Sequence, residues 1–91
     1  MEASMSLELG LLAELRAALA GEHEIRSQVR MEVAGLAVET AIPAVYVWVF
    51  VGFSGRFFSW HNADRQHPVN DVPGAARRIA AQIGEVNQQI S

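Results

Sequence analysis

A chain of 91 residues, 51% hydrophobic and only 19% charged, is a single domain over residues 1–91 whose apolar content exceeds what a small core hides. Its net charge of −3, with seven basic residues that are all arginine, argues against a general polyanion binder, because duplex affinity rests on cations facing phosphates. The lack of cysteine excludes disulfides and thiolate metal sites.

Residues 5–20, MSLELGLLAELRAALA, predict a first helix. Leu11, Leu12, Leu15, Ala18 and Leu19 recur at helical spacing and form one apolar stripe, with Glu8, Glu14 and Arg16 largely off it. Ser4 or Ser6 is the expected N-terminal cap and Gly21 the expected stop. The opening MEASMSLELG is acidic and lacks the basic start of a secretion signal, so a cytoplasmic location is expected.

Residues 23–31 suggest a short, polar first strand, and residues 33–40 a second, with a bulge at Gly35. Pro43 then breaks the pairing, since it has no N–H to donate. Residues 33–53 are mostly apolar and long enough to cross a bilayer. Glu39, Pro43 and the period-two alternation of the last third argue against a span, and no membrane association is expected.

Residues 44–53 contain the stretch VYVWVFVGF, a central strand with Val45, Val47, Val49 and Val51 on one face and Tyr46, Trp48 and Phe50 on the other. Ser54–Gly55 reads as a two-residue hairpin turn. Residues 56–61, RFFSWH, return as its partner, and pairing Phe53 with Arg56 places Val51 opposite Phe58, Val49 opposite Trp60, Gly52 by Phe57, Phe50 by Ser59 and Trp48 by His61. Residues 62–71 are expected to be a polar loop. Asp71 should cap a second helix over residues 72–90, whose stripe Val72, Ala76, Ile79, Ile83, Val86 and Ile90 steps by four and three. The order is α-β-β-β(-β)-α: an α+β fold with a small antiparallel sheet and both helices on the face of Val45, Val47, Val49 and Val51.

The chemistry-bearing residues are few. His61, Asp64 and His67 share a polar stretch, but their spacing matches no helical ligand pair and Pro68 adjoins one of them; the bland reading is a solvated loop, and neither metal nor cofactor is expected. His61 with Asp64 or Asp71 has the composition of an acid–base pair, yet no convincing nucleophile, phosphate loop or paired carboxylate accompanies it, so catalysis is not expected. Arg65, Arg77 and Arg78 are candidate contacts to an acidic partner, against the plainer reading of exposed charges or one salt bridge to Asp71 or Asp64.

Tyr46, Trp48, Phe50 and Phe57 raise the sharper question. Two helices cover one sheet face, and a ten-residue polar loop hides little of the other. Several aromatics of about 150–250 Å² each exceed the apolar patch that monomers usually expose. The reading is a non-catalytic interaction or regulatory module, a homodimer or a complex with another protein through these four residues. The alternatives are a nucleic-acid-binding domain using Arg65, Arg77 and Arg78, and a small-molecule binder using the aromatic face.

The helix LLAELRAALA, the hairpin ending GRFFSW and the exit HPVNDVPGAARRIAAQI give the chain a family resemblance. The residues that carry it are Trp48, Ser54–Gly55, Phe57, Phe58, Trp60, His67, Pro68, Asp71, Pro73, Ala75, Ala76, Arg77 and Arg78. Over roughly residues 10–84 it resembles small actinobacterial proteins often encoded beside transcription regulators, a group without a settled activity. It departs from them at residues 22–43, which are longer and more polar. The α-β-β-β-α order also resembles double-stranded RNA-binding domains, whose last helix opens on lysines that dock on phosphates; here only Arg77 and Arg78 stand there.

Overall fold

The structure, a computed structural model, describes residues 2–52, 55–61 and 65–88. Helix α1 (Glu2–His23) leads into strands β1 (Ser27–Arg30), β2 (Gly35–Glu39), β3 (Tyr46–Gly52), β4 (Phe57–Trp60) and β5 (Arg65–Pro68), and helix α2 (Val72–Gln88) closes the chain. The five strands form one antiparallel meander in the order β1-β2-β3-β4-β5, so β3 is the middle of the sheet. This is the expected α+β class, with one more strand than the three or four anticipated.

Helix α1 begins at Glu2, upstream of the start expected at Ser4 or Ser6. No proline interrupts this stretch, and Gly10 costs only about 1 kcal/mol. At the other end the helix runs past Gly21; Glu24 takes the left-handed turn (φ 55°) and the Ile25 amide reaches back to the Leu19 carbonyl at 3.0 Å. Strand β1 is shorter than residues 23–31, and a 3-10 turn, Met31–Val33, separates it from β2.

The β2–β3 register runs without a bulge: Gly35 pairs with Phe50, Leu36 with Val49, Ala37 with Trp48, Val38 with Val47 and Glu39 with Tyr46. Between them Thr40 organises the connection around Pro43, its hydroxyl donating to Val45 O at 2.8 Å and accepting from Ile42 N at 3.2 Å. Val45 falls outside β3 and is exposed, so it does not join the other three valines. The hairpin pairs Phe50 with Ser59, Val51 with Phe58 and Gly52 with Phe57, as the spacing predicts. Phe53 and Ser54 lie outside the described residues; Gly55 has φ 82°, a conformation glycine adopts at no steric cost.

Residues 65–68, expected within a loop, instead form β5 along β4, pairing Phe58 with His67 and Trp60 with Arg65. Their polar character reflects an edge position, where one side of the strand meets water. Pro68 fits there because its missing N–H faces no neighbouring strand.

The core lies between the helices and one sheet face. Leu12, Leu15 and Leu19 of α1, Ala75, Ala76, Ile79 and Ile83 of α2, Leu36, Val38 and Val49, and Phe58 and Trp60 are all buried. Helix α1 packs over β1, β2 and β3 and against α2, while α2 lies at the β5 end. No helix among the described residues is long and apolar enough to cross a membrane.

Candidate functional site: the open aromatic face

Because side chains alternate along a strand, burying Val49 against the helices forces Trp48 and Phe50 to the opposite face. No element among the described residues covers that face. Tyr46, Trp48 and Phe50 are 46%, 38% and 40% exposed, and Phe57 on the next strand is half-buried. The rings of the central strand form a ladder. Trp48 stacks on Phe50 with centroids 6.2 Å apart and planes 11° apart; Tyr46 meets Trp48 edge-on at 6.4 Å and 61°. Both arrangements suit the ring quadrupole.

The neighbouring strand supplies a bed for this ladder. Gly35, opposite Phe50, has no side chain, and a Cβ there would lie 2.6 Å from the Phe50 ring. Ala37, opposite Trp48, is buried although it points to the open side. Small residues on β2 thus let the β3 rings lean over and shield the strand. The rest of the face is polar and mixed in sign. Gln28 and Arg30 of β1, Glu39 of β2, Ser59 of β4 and Gln66 of β5 ring the aromatics on the same side. Arg30 pairs with Glu32 at 2.9 Å; that carboxyl sits below its ordinary value because of a backbone hydrogen bond first and Arg30 second. This is the anatomy of a small protein interface, with an aromatic centre and a charged rim.

A second cluster sits where β5 meets α2. Asp71 caps α2 by accepting the Gly74 amide at 3.2 Å, and its other oxygen lies 2.8 Å from His67 Nε2. The hydrogen bond from His67, then that from Gly74, holds the Asp71 carboxyl below its ordinary value. Gly74 is needed there, since a Cβ would collide with Asp71 Oδ2 and come within 2.7 Å of His67 Nε2. Arg78 donates to the Gln66 carbonyl at 2.6 Å, lies 3.4 Å from His67 Nδ1 and spreads its guanidinium 5.4 Å above the Trp60 ring. A guanidinium has no acceptor, so His67 receives from Arg78 at Nδ1 and donates Nε2–H to Asp71. With Asp71 on one ring nitrogen and Arg78 near the other, His67 ties β5 to α2.

Of the residues weighed for a metal, His67 joins Asp71 and Asp64 lies outside the described residues; among the described residues no group of three or more His, Asp or Glu could hold a metal ion. Arg77 and Arg65 are exposed, and Arg78 is engaged by its own sheet. The His67–Asp71 contact has a sequence signal, a four-residue spacing across a helix cap, that the reading of residues 62–71 as loop concealed. The five-strand meander departs from the three-strand order of double-stranded RNA-binding domains. No family model, curated protein or solved structure matches the chain.

Proposed function

We propose that the chain is a non-catalytic interaction module whose working surface is the aromatic face of its sheet, and that this face docks on protein. The observation that carries the reading is the continuous Tyr46–Trp48–Phe50 ladder on the central strand, exposed beside a core that is otherwise complete. Three adjoining aromatics each left more than a third exposed cost solubility, and such patches mark binding surfaces. Tyrosine and tryptophan are also the residues that anchor interfaces, since they bring large rigid area at small entropic cost.

The test is site-specific photocross-linking in the cells that make the protein. A benzophenone amino acid placed at Tyr46 should yield covalent protein adducts on irradiation. The same group at Glu85, exposed on α2, serves as the control. Adducts at position 46 and not at 85 support a protein-docking face; no adduct at 46 refutes it.

A further inference from the structure

We infer that the protein occupying the aromatic face is a second copy of this chain, packed face to face about a two-fold axis near Trp48, with the two sheet edges, each held by an arginine from a helix, left out of the contact. This rests on the reading of the face as a protein-docking surface and names its partner.

The edges come first. A sheet edge presents unpaired main-chain groups and is the usual place for strands of two chains to join. In an antiparallel ladder, alternate residues point their N–H and C=O inward and outward. Glu39 N donates to Arg26 O at 2.9 Å, so on β1 the outward residues are Ser27 and Val29. The Ser27 carbonyl is already taken by Arg16 Nε of α1 at 3.1 Å. On the far edge Val69 N donates to Arg56 O at 3.0 Å, so on β5 the outward residues are Gln66 and Pro68. Arg78 takes the Gln66 carbonyl, Pro68 has no N–H, and the Pro68 carbonyl accepts the Asp71 amide at 3.2 Å. Each edge is four residues long and carries an arginine from a helix. Strand addition at either edge would have to displace that guanidinium.

The face has the opposite character. Its ladder lies on β3, the middle strand of five, so a two-fold axis through its centre sets ladder against ladder. Its rim holds both signs on the β1–β2 side, Arg26 and Arg30 with Glu32 and Glu39, which suits a copy of itself rather than a strongly charged partner. Five strands about 4.8 Å apart, mostly four or five residues and so roughly 15 Å long, give a face of about 350–400 Å². Two such faces bury roughly 700–800 Å², less than a stable complex needs and in keeping with a weak, transient pair. The dimer should therefore be weak, forming only in concentrated solution and separating on dilution.

Sedimentation across a dilution series, with circular dichroism as the check on folding, tests this on the full chain. The wild type should move from twice the 9.9 kDa chain mass to the single mass as it is diluted. Trp48→Glu should weaken association by at least about 30-fold with its helical signal retained. Tyr46→Lys, at a more exposed position, is the second variant should Trp48→Glu fail to fold. Amide exchange at Ser27, Val29 and Gln66 should not slow as the dimer forms. A dimer that both face variants leave intact, or one that protects the Ser27 and Val29 amides, places the contact at an edge and overturns the inference. A wild type that stays monomeric at every concentration also overturns it; cross-linking from position 46 to an unlike protein would then leave the docking face standing with a different occupant, whereas no cross-link at all would remove both.

Discussion

Val49 and its two neighbours in the chain, Trp48 and Phe50, lie on opposite faces of one strand and meet different surroundings. Val49 is wholly buried under the helices, whereas the two aromatics stay more than a third exposed. The difference owes nothing to hydrophobicity, for all three side chains are apolar. It comes from counting layers: two helices make one layer, and one layer covers one face. What distinguishes the faces is what packs on them. The inner face is read by α1 and α2, with Leu12, Leu15, Leu19, Ile79 and Ile83 interlocked above it. Among the described residues, the outer face is tended only by its own strands, through the gap at Gly35 and the small Ala37.

The largest expected effects fall on the inner side. Ile79→Ala and Ile83→Ala should each destabilise the fold by about 2–5 kcal/mol in denaturant titrations, since both side chains fill the space between α2 and the sheet. A loss below about 0.5 kcal/mol, the size of a surface change, would mean that α2 does not close this core and that the two faces are less different than they look.

A matched pair on β3 sharpens the comparison. Val49→Thr keeps the shape and puts a hydroxyl into the dry face, costing about 1–3 kcal/mol. Tyr46→Thr, measured where the chain is monomeric, should cost less than about 1 kcal/mol, because nearly half of Tyr46 is already wet and threonine suits a strand. Equal losses at the two sites would show that the outer face is covered within a single chain.

Gly35→Ala probes the bed of the ladder. The new Cβ would meet the Phe50 ring at 2.6 Å, and a half-exposed ring can swing toward water to make room. Stability should fall by roughly 1 kcal/mol or less, far below the core variants, while self-association should weaken several-fold. If thermal stability drops as far as in Ile79→Ala, Phe50 is held in place by something other than its neighbours on the sheet.

How much of this was legible in the sequence depends on where the pattern was free of competition. The β3–β4 register followed from the alternation of VYVWVFVGF and the glycine turn, because a shift of one residue would send Phe58 and Trp60 to the outside. The α2 stripe was legible for the same reason at a different period. β5 was not: an edge strand buries little, so its four residues carry no apolar alternation, and RQHP reads as loop until β4 is known to need a partner. The arginines that sit on the edges were equally hidden. Arg16 reaches eleven residues along the chain to Ser27, and Arg78 twelve residues back to Gln66, contacts between helix and edge that no local spacing encodes. The ladder residues themselves were evident, and so was the question of what covers them.

The smallest effect concerns the clasp that holds β5 to α2. The Asp71 carboxylate accepts from His67 and from the Gly74 amide, and Arg77 adds a weaker attraction, so its folded value lies below the ordinary 3.8. A carboxyl depressed on folding contributes stability that is fully present above its unfolded value and is lost as pH falls through the lower, folded one. The contribution belongs to an exposed group and is correspondingly modest. Asp71→Asn keeps an oxygen for the Gly74 amide and remains a good cap, but it cannot carry the charge that His67 faces. Wild type should therefore exceed the variant in melting temperature near neutral pH, and the gap should close as the pH is lowered from about 5 to about 2, across the carboxylate range. Arg78→Ala should leave that closing gap in place, because Arg78 meets His67 on its other nitrogen. A difference between wild type and Asp71→Asn that does not change with pH would mean that the carboxylate is held by its shape at the cap alone, and that the inner face keeps its β5 border without help from charge.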